Sequence, residues 1–203
     1  MKIYIIRHSE SEANTRNILA GQLDYPLSQR GIIDAQQLCS KIFKNFKPQV
    51  VYSSPLIRAI QTAVPLVMPN RIPLLIDERL IEHNIGIFAG KTYAEVEADS
   101  RYEKNRLERW KWTPPSGESY EQVTTRLISF FSQLQTQNSD CLIVTHAVTM
   151  RLIKGLLENT LPSYPEEIPK NGELWEIVFE GLGHTHYIKS HFFNDLIYRG
   201  SKA

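Results

Sequence analysis

The chain has 203 residues, 42% of them hydrophobic, with 23 Lys and Arg against 22 Asp and Glu and a formal net charge of +1. That balance excludes a general nucleic-acid or membrane-surface binder, because neither partner gains from the overall charge. A chain of this length suits a single domain over residues 1–203, and it can bury roughly 70% of its unfolded surface without staples. Its two cysteines, Cys39 and Cys141, each sit in an apolar pattern, which favours a reducing cytoplasm over a disulfide framework. The opening apolar run is too short for a secretory signal and is broken by Arg7; no stretch approaches a membrane span.

In chain order, residues 2–6 form an apolar run suited to a buried strand, and it stops at Arg7, His8, Ser9 and Glu10. In open α/β sheets the carboxyl ends of strands are where ligands sit. Imidazole is a nucleophile near neutral pH, and guanidinium is a permanent cation whose fork fits phosphate. The pair therefore points to phosphoryl transfer onto a histidine; a surface Arg and a capping His after an edge strand is the plainer alternative. Residues 9–24, with Asn14, Arg16, Gly21 and Gln22, are long for a connector, which favours a functional loop.

Ser28 then caps a helix whose apolar residues Ala35, Leu38, Cys39, Ile42, Phe43 and Phe46 follow helical spacing, so Cys39 is expected in the core. A strand is expected over 49–52. Ser54 suits an N-cap and Pro55 the first turn of a helix with the stripe Leu56, Ala59, Ile60, Ala63, Val64 and Val67, ended by Pro65 and Pro69. Arg58 lies off that stripe and leans towards the helix entrance, where anions are already favoured. A third strand is expected over 72–76, followed by a loop bearing Glu82 and His83. Residues 93–112 read as charged and helical, part of a cap or lid around 92–117. Residues 118–134 form an amphipathic helix. A strong buried strand over 140–145 ends in His146, and Ala147 opens another helix. The tail reads as two paired strands, over 174–180 and 184–193. The alternation of strands and helices predicts an α/β fold.

Three strand ends thus supply Arg7 with His8, Arg58, and His146, and a loop supplies Glu82. Phosphoryl transfer through histidine needs such a set: a neutral imidazole to attack, cations for the equatorial oxygens, and an acid for the leaving oxygen. No metal or other cofactor is required, because the arginines do the charge work. His184 and His186 share a strand face and could ligate zinc, but no third ligand supports this, so a solvated face is expected. Arg101, Lys104, Arg106, Arg109 and Lys111 alternate with Glu103 and Glu108, which predicts a salt-bridged exposed face. Trp110 and Trp112 could line a lid or pack the cap, with nothing to choose between them.

Taken together these motifs resemble the histidine phosphatase, or phosphoglycerate mutase-like, superfamily. Arg7-His8-Ser9-Glu10 looks like its Arg-His-Gly-Glu signature; Asn14 falls where the family has a phosphate-contacting Asn. Residues 53–63 are close to its phosphate-binding Arg motif, Leu80-Ile81-Glu82 with Gly86 and Gly90 resembles its proton-donor motif, and Glu118 and Val144-Thr145-His146 follow in family order. The resemblance implies a three-layer α/β/α fold with a mixed, mostly parallel central sheet. It implies that His8 is phosphorylated, that Arg7, Arg58 and His146 hold the phosphoryl group with Asn14, and that Glu82 acts as acid and then base. Gln22 and Ala147 are further candidates for substrate contact. The expected activity is a metal-independent phosphomonoesterase, a histidine acid phosphatase-type hydrolase of small phosphorylated metabolites. A cofactor-dependent phosphoglycerate mutase is the alternative, disfavoured because the stretch from Glu82 to His146 is short for one; a catalytically weak phospho-ligand-binding member is the third reading. Ser9 and Ala147 stand where the family has glycines, which could crowd the phosphate. Neither nucleic acid nor membrane is expected as a partner. The strand edge near the tail could pair with a second copy to give a homodimer.

Overall fold

Strand β1 (Lys2–Arg7) is the strand expected at the start of the chain, and its side chains alternate between two cores. Ile3 and Ile5 enter one core, Tyr4 and Ile6 the other, as a central strand covered on both faces requires. The computed structural model describes residues 1–193. Among these the elements after β1 are α1 (Glu12–Thr15), α2 (Gln29–Asn45), β2 (Val50–Ser53), α3 (Ile57–Val67), β3 (Leu74–Ile76), α4 (Tyr93–Ala98), α5 (Tyr120–Leu134), β4 (Cys141–Thr145), α6 (Ala147–Leu157), β5 (Leu174–Val178) and β6 (Ile188–His191).

The strands form one sheet in the order β3-β2-β4-β1-β5-β6. The pairs β1–β4, β2–β4 and β2–β3 are parallel, whereas β5 runs antiparallel to both β1 and β6. Leu38 and Ile42 of α2, with Ala59, Ala63 and Leu66 of α3, pack on Tyr4, Ile6, Val51 and Val144. Val123, Leu127 and Phe131 of α5, with Met150, Leu152 and Ile153 of α6, pack on Ile3, Ile5 and Ile143. The architecture is therefore three-layer α/β/α with a mixed, mostly parallel sheet, as expected.

This topology positions the site. β2, β4 and β1 are neighbours and parallel, so their carboxyl ends share one edge. His8 N donates to Thr145 O at 2.9 Å and Ser54 N to Val144 O at 3.0 Å, which holds three distant segments side by side. Thr145 Oγ1 donates to Leu80 O at 2.7 Å and draws the Glu82 segment over the end of β4. Ser28 caps α2 as expected, its Oγ accepting from Gly31 N at 2.9 Å. Gly31 is needed there, because a Cβ would stand 2.0 Å from Glu10 O, and this contact seats the loop after His8 against α2.

Several expectations are corrected. Ser54 is not an N-cap: α3 starts at Ile57 after Leu56, and the Ser54 hydroxyl turns to His146. Pro65 does not end α3, which runs through it to Val67; buried Leu66 and Val67 outweigh the one backbone bond that Pro65 removes, while Val64 faces out. Cys39 packs against the core as expected, though only half-buried, beside Asn70 at 3.7 Å. The third strand is shorter than expected, with Leu75 and Ile76 exposed on the sheet edge. Residues 93–112 hold only α4 and a single 3-10 turn, Glu108–Trp110. There the side chains of Asp99, Glu103 and Asn105 accept from backbone amides two residues on, competing with helix, and few apolar positions pull the backbone onto a core. The basic stripe does not pair with Glu103 and Glu108: Arg101 pairs with Asp99 and Arg106 with Glu166. His186 is not solvated. It is buried and stacked on Phe179, Nδ1 facing Leu157 O at 3.1 Å and Nε2 accepting from Glu180 N, and β6 begins only at Ile188. Trp112 packs with Phe88 and Tyr102.

Candidate active site

His8 follows directly on β1 and is 4% exposed. Its Nδ1 lies 2.7 Å from Ser9 O. A carbonyl can only accept, so Nδ1 carries the ring proton and Nε2 holds the lone pair of a nucleophile. Burial first, then Arg7 and Arg58, hold the imidazole well below the ordinary histidine range, so it stays neutral. His146, fully buried at the end of β4, stands with its ring centroid 5.1 Å from that of His8. Burial, then Arg58, His8 and Arg7, keep it neutral too. Its Nε2 is 2.7 Å from Ser54 Oγ, which already accepts from Leu56 N at 3.3 Å. The Ser54 hydroxyl has no other acceptor among the described residues, so its proton is assigned to Nε2 and His146 carries its own on Nδ1.

The cations are set by carbonyls. Arg58, 2% exposed, donates to Leu23 O at 2.8 Å and Gly21 O at 2.7 Å, which uses two of its five N–H groups. Arg7 donates Nη1 to Pro169 O at 2.6 Å. The tail braces this strand end further: Arg7 N donates to Glu173 O at 3.2 Å, Gly172 N to Arg7 O at 3.1 Å, and Asn171 Nδ2 to His8 O at 2.9 Å.

Glu82 lies over the first turn of α6. Its Oε1 accepts from His83 N, Thr149 N and Thr149 Oγ1, and its Oε2 from Val148 N at 3.2 Å. Helix-entry amides and dipole favour a carboxylate there. The same carboxylate interacts electrostatically with both Arg7 and Arg58, which places it in the cluster. Ala147 contributes the first residue of that turn. Gln22 donates to Glu82 O at 2.9 Å. Asn14 belongs to the Ser11 capping box, its Oδ1 accepting from Ser11 N, Ser11 Oγ and Asn171 Nδ2, so its NH2 is the end left to donate.

Among the described residues, four buried side-chain polar atoms have no hydrogen-bond partner; three are Arg7 Nε, Ser9 Oγ and His146 Nδ1. Unpaired buried polar atoms are rare, and three in one cluster suit an anion ligand. The two departures from the family glycines cause no backbone strain. Neither Ser9 nor Ala147 is among the positive-φ residues, and Ser9 N donates to Thr62 Oγ1 at 3.0 Å. No trio of His, Cys, Asp or Glu able to hold a metal occurs among the described residues.

Sequence reasoning missed the supports. Thr149 and Arg126 hold the Glu82 segment, Arg126 donating to Glu82 O and pairing with Glu118 at 3.2 Å. Ser54 and Glu118 lay inside quoted motifs and could have been found there. Pro169 and Asn171 lay in a proline-rich tail with no periodic signal.

A pH dependence of stability follows. The unfolded chain binds protons at these two histidines near pH 6.5, and the folded chain does not. Stability is therefore lost as pH falls below 6.5, by up to about 1.4 kcal/mol per unit per histidine. Thermal unfolding is expected to show Tm falling from pH 6.5 to 5, with a shallower fall in His8→Asn. An equal slope in the variant would mean that His8 is charged in the folded state.

The family profile described as histidine phosphatase superfamily (branch 1) matches residues 3–186. The chain is 30% identical to phosphoserine phosphatase 1 of Hydrogenobacter thermophilus over 158 residues, covering 74% of this chain and 73% of that protein. It is 27% identical to a 2,3-bisphosphoglycerate-dependent phosphoglycerate mutase of Methanococcus vannielii over 235 aligned positions, covering 96% and 99%. Among solved structures, a mycobacterial glucosyl-3-phosphoglycerate phosphatase superposes with a TM-score of 0.79 at 23% identity, over 93% of this chain and 96% of that one.

Proposed function

This chain belongs to the histidine phosphatase superfamily, and from that premise we propose that it is a metal-independent, histidine acid phosphatase-type phosphoric monoester hydrolase. The observation that carries the reading is the neutral, Nδ1-protonated His8 buried between Arg7, Arg58 and His146. His8 Nε2 attacks phosphorus as the P–O bond to the alcohol breaks. Glu82 relays to the leaving oxygen the proton that the phosphate monoanion brings into the site. Glu82 then takes a proton from water, the water oxygen bonds phosphorus, the P–N bond breaks, and inorganic phosphate leaves with His8 restored. Arg7, Arg58 and the Nδ1–H of His146 bind the phosphoryl oxygens throughout, joined by the amide of Asn14. Gln22 and the turn at Ala147 hold Glu82 in place. The 92–117 segment caps the alcohol half of a small phosphorylated metabolite.

Hydrolysis is favoured over mutase action by likeness: the phosphoserine phosphatase matches at 30% identity and the Methanococcus vannielii mutase at 27%, the latter carrying segments this chain lacks. Product analysis tests the choice. 3-Phosphoglycerate, with or without priming by the bisphosphate, is expected to give free phosphate and no 2-phosphoglycerate. Interconversion without phosphate release would reverse the choice.

The free thiols of Cys39 and Cys141, the latter pushed up to about 12 by burial, are in keeping with action in the cytoplasm. Among the described residues no helix is long and apolar enough to cross a membrane. A homodimer paired through the β6 edge is the assembly we propose.

A further inference from the structure

Beyond the phosphoryl pocket, two more arginines converge where the reaction at phosphorus does not use them. Arg151 of α6 stands with its guanidinium carbon 5.1 Å from the Tyr164 ring centroid, and Arg106 of the cap stands 4.3 Å from the same ring. Arg151 is 9% exposed. Its Nε donates to Pro165 O at 2.8 Å. Among the described residues its two terminal nitrogens have no acceptor and no carboxylate lies within ion-pair reach of it. Arg106 has one carboxylate partner, Glu166, at 3.6 Å and 83% exposed, which binds it weakly.

A nearly buried cation without a counter-ion is costly, and a second cation on the same ring adds repulsion. Pinning the 160s loop to α6 does not explain it, since the Nε bond and the ring contact suffice for that. Four N–H donors of Arg151 are left over, in the fork geometry that fits a carboxylate or phosphate. The cluster also lies close to the reaction centre. Glu82 acts on Arg151 electrostatically, and Arg151 follows Thr149, which holds Glu82, by two residues on the same helix. A row of packed rings runs from His83, next to Glu82, through Tyr120 to Tyr164 at centroid spacings of 4.9 and 5.0 Å. In the proposed reaction Glu82 protonates the leaving oxygen, so a cationic cluster close to it is placed to meet the alcohol half of the ester.

We propose that Arg151, with Arg106 and Tyr164, forms a second anion site, and that the preferred substrates are phosphate esters whose alcohol carries a carboxylate or a second phosphate. The proposal rests on the phosphatase reading and narrows it. It predicts a selectivity that the phosphoryl pocket alone cannot supply, because that pocket meets the same group in every ester.

Matched esters test it. 3-Phosphoglycerate and glycerol 3-phosphate share a carbon skeleton and differ in the carboxylate; fructose 1,6-bisphosphate and fructose 1-phosphate differ in the second phosphate. In the wild-type protein kcat/KM is expected to favour the anionic member of at least one pair by 10-fold or more, mainly through KM. Arg151→Gln should bring that ratio close to one, Arg151→Lys should leave part of it, and Arg106→Gln should lower it. Ratios near one in both wild-type pairs, or a ratio unchanged in Arg151→Gln, would overturn the proposal. Should Arg151→Gln fail to fold, Arg106→Gln decides by the same ratio. If no ester is hydrolysed, the phosphatase reading fails separately. The anion site is then read from Tm, which 3-phosphoglycerate should raise more than glycerol 3-phosphate in the wild-type protein and equally in Arg106→Gln; equal shifts in the wild-type protein would overturn it.

Discussion

Replacing His8 with alanine is expected to lower kcat/KM for p-nitrophenyl phosphate by at least roughly 10⁴-fold, because it removes the proposed nucleophile and leaves only the surrounding charge. The size of the effect follows from how completely the site commits to one atom. Nδ1 is held by Ser9 O, so Nε2 alone can attack. Burial and two guanidiniums keep that nitrogen unprotonated. The imidazole of His146 is no substitute: its Nε2 faces Ser54 Oγ and its proton lies on Nδ1. Quenching wild-type turnover of a phosphorus-labelled ester should trap acid-labile, base-stable label on the protein, and His8→Ala should trap none. Label persisting in the variant, or turnover within tenfold of wild type, would remove phospho-His8 from the pathway.

Arg58→Ala carries the second large effect. Arg58 is almost fully buried and its orientation is fixed by the carbonyls of Leu23 and Gly21. In the proposed mechanism its remaining N–H groups meet the phosphoryl oxygens without reorganising, which is where a charge-assisted contact stabilises a transition state most. Its loss should cost about 10²–10³-fold in kcat/KM, or roughly 3–4 kcal/mol. Arg58→Lys restores the charge but not the fork, and should recover only part of the rate. The two carbonyls also tie residues 21–23 to α3, so the loop of Gln22 should loosen in Arg58→Ala, seen as faster amide exchange there. An unchanged kcat/KM would mean that this guanidinium only braces the loop.

Much of this site was legible because its principal groups sit at strand ends. The apolar runs before His8, before Ser54 and before His146 are strong strand signals, and the residue that ends each run is fixed by the chain itself. Parallel neighbours then carry those ends to one edge. What could not be read depends on side chains that reach across the fold. Ser54 reads as a helix cap by local rules, yet its hydroxyl serves His146, 92 positions away. The cap segment reads as helix by composition, yet Asp99, Glu103 and Asn105 satisfy its amides locally and stop the helix at Ala98. Tail histidines read as a solvated strand, yet His186 is buried on Phe179 because Leu157 O and Glu180 N supply both its ring nitrogens with partners. Arg151 gives no sequence signal beyond its charge, since its meaning lies in the partner it lacks.

The tail's grip on β1 has a consequence for synthesis. The proposed nucleophile leaves the ribosome well before the carbonyls and amides that seat it, which come from Pro169, Asn171, Gly172 and Glu173. At about 5–20 residues per second those groups emerge on the order of ten to thirty seconds later. A nascent chain therefore holds an unfinished, harmless imidazole until that stretch has emerged, and a protease cut there would silence the enzyme without touching any residue proposed to meet the ester.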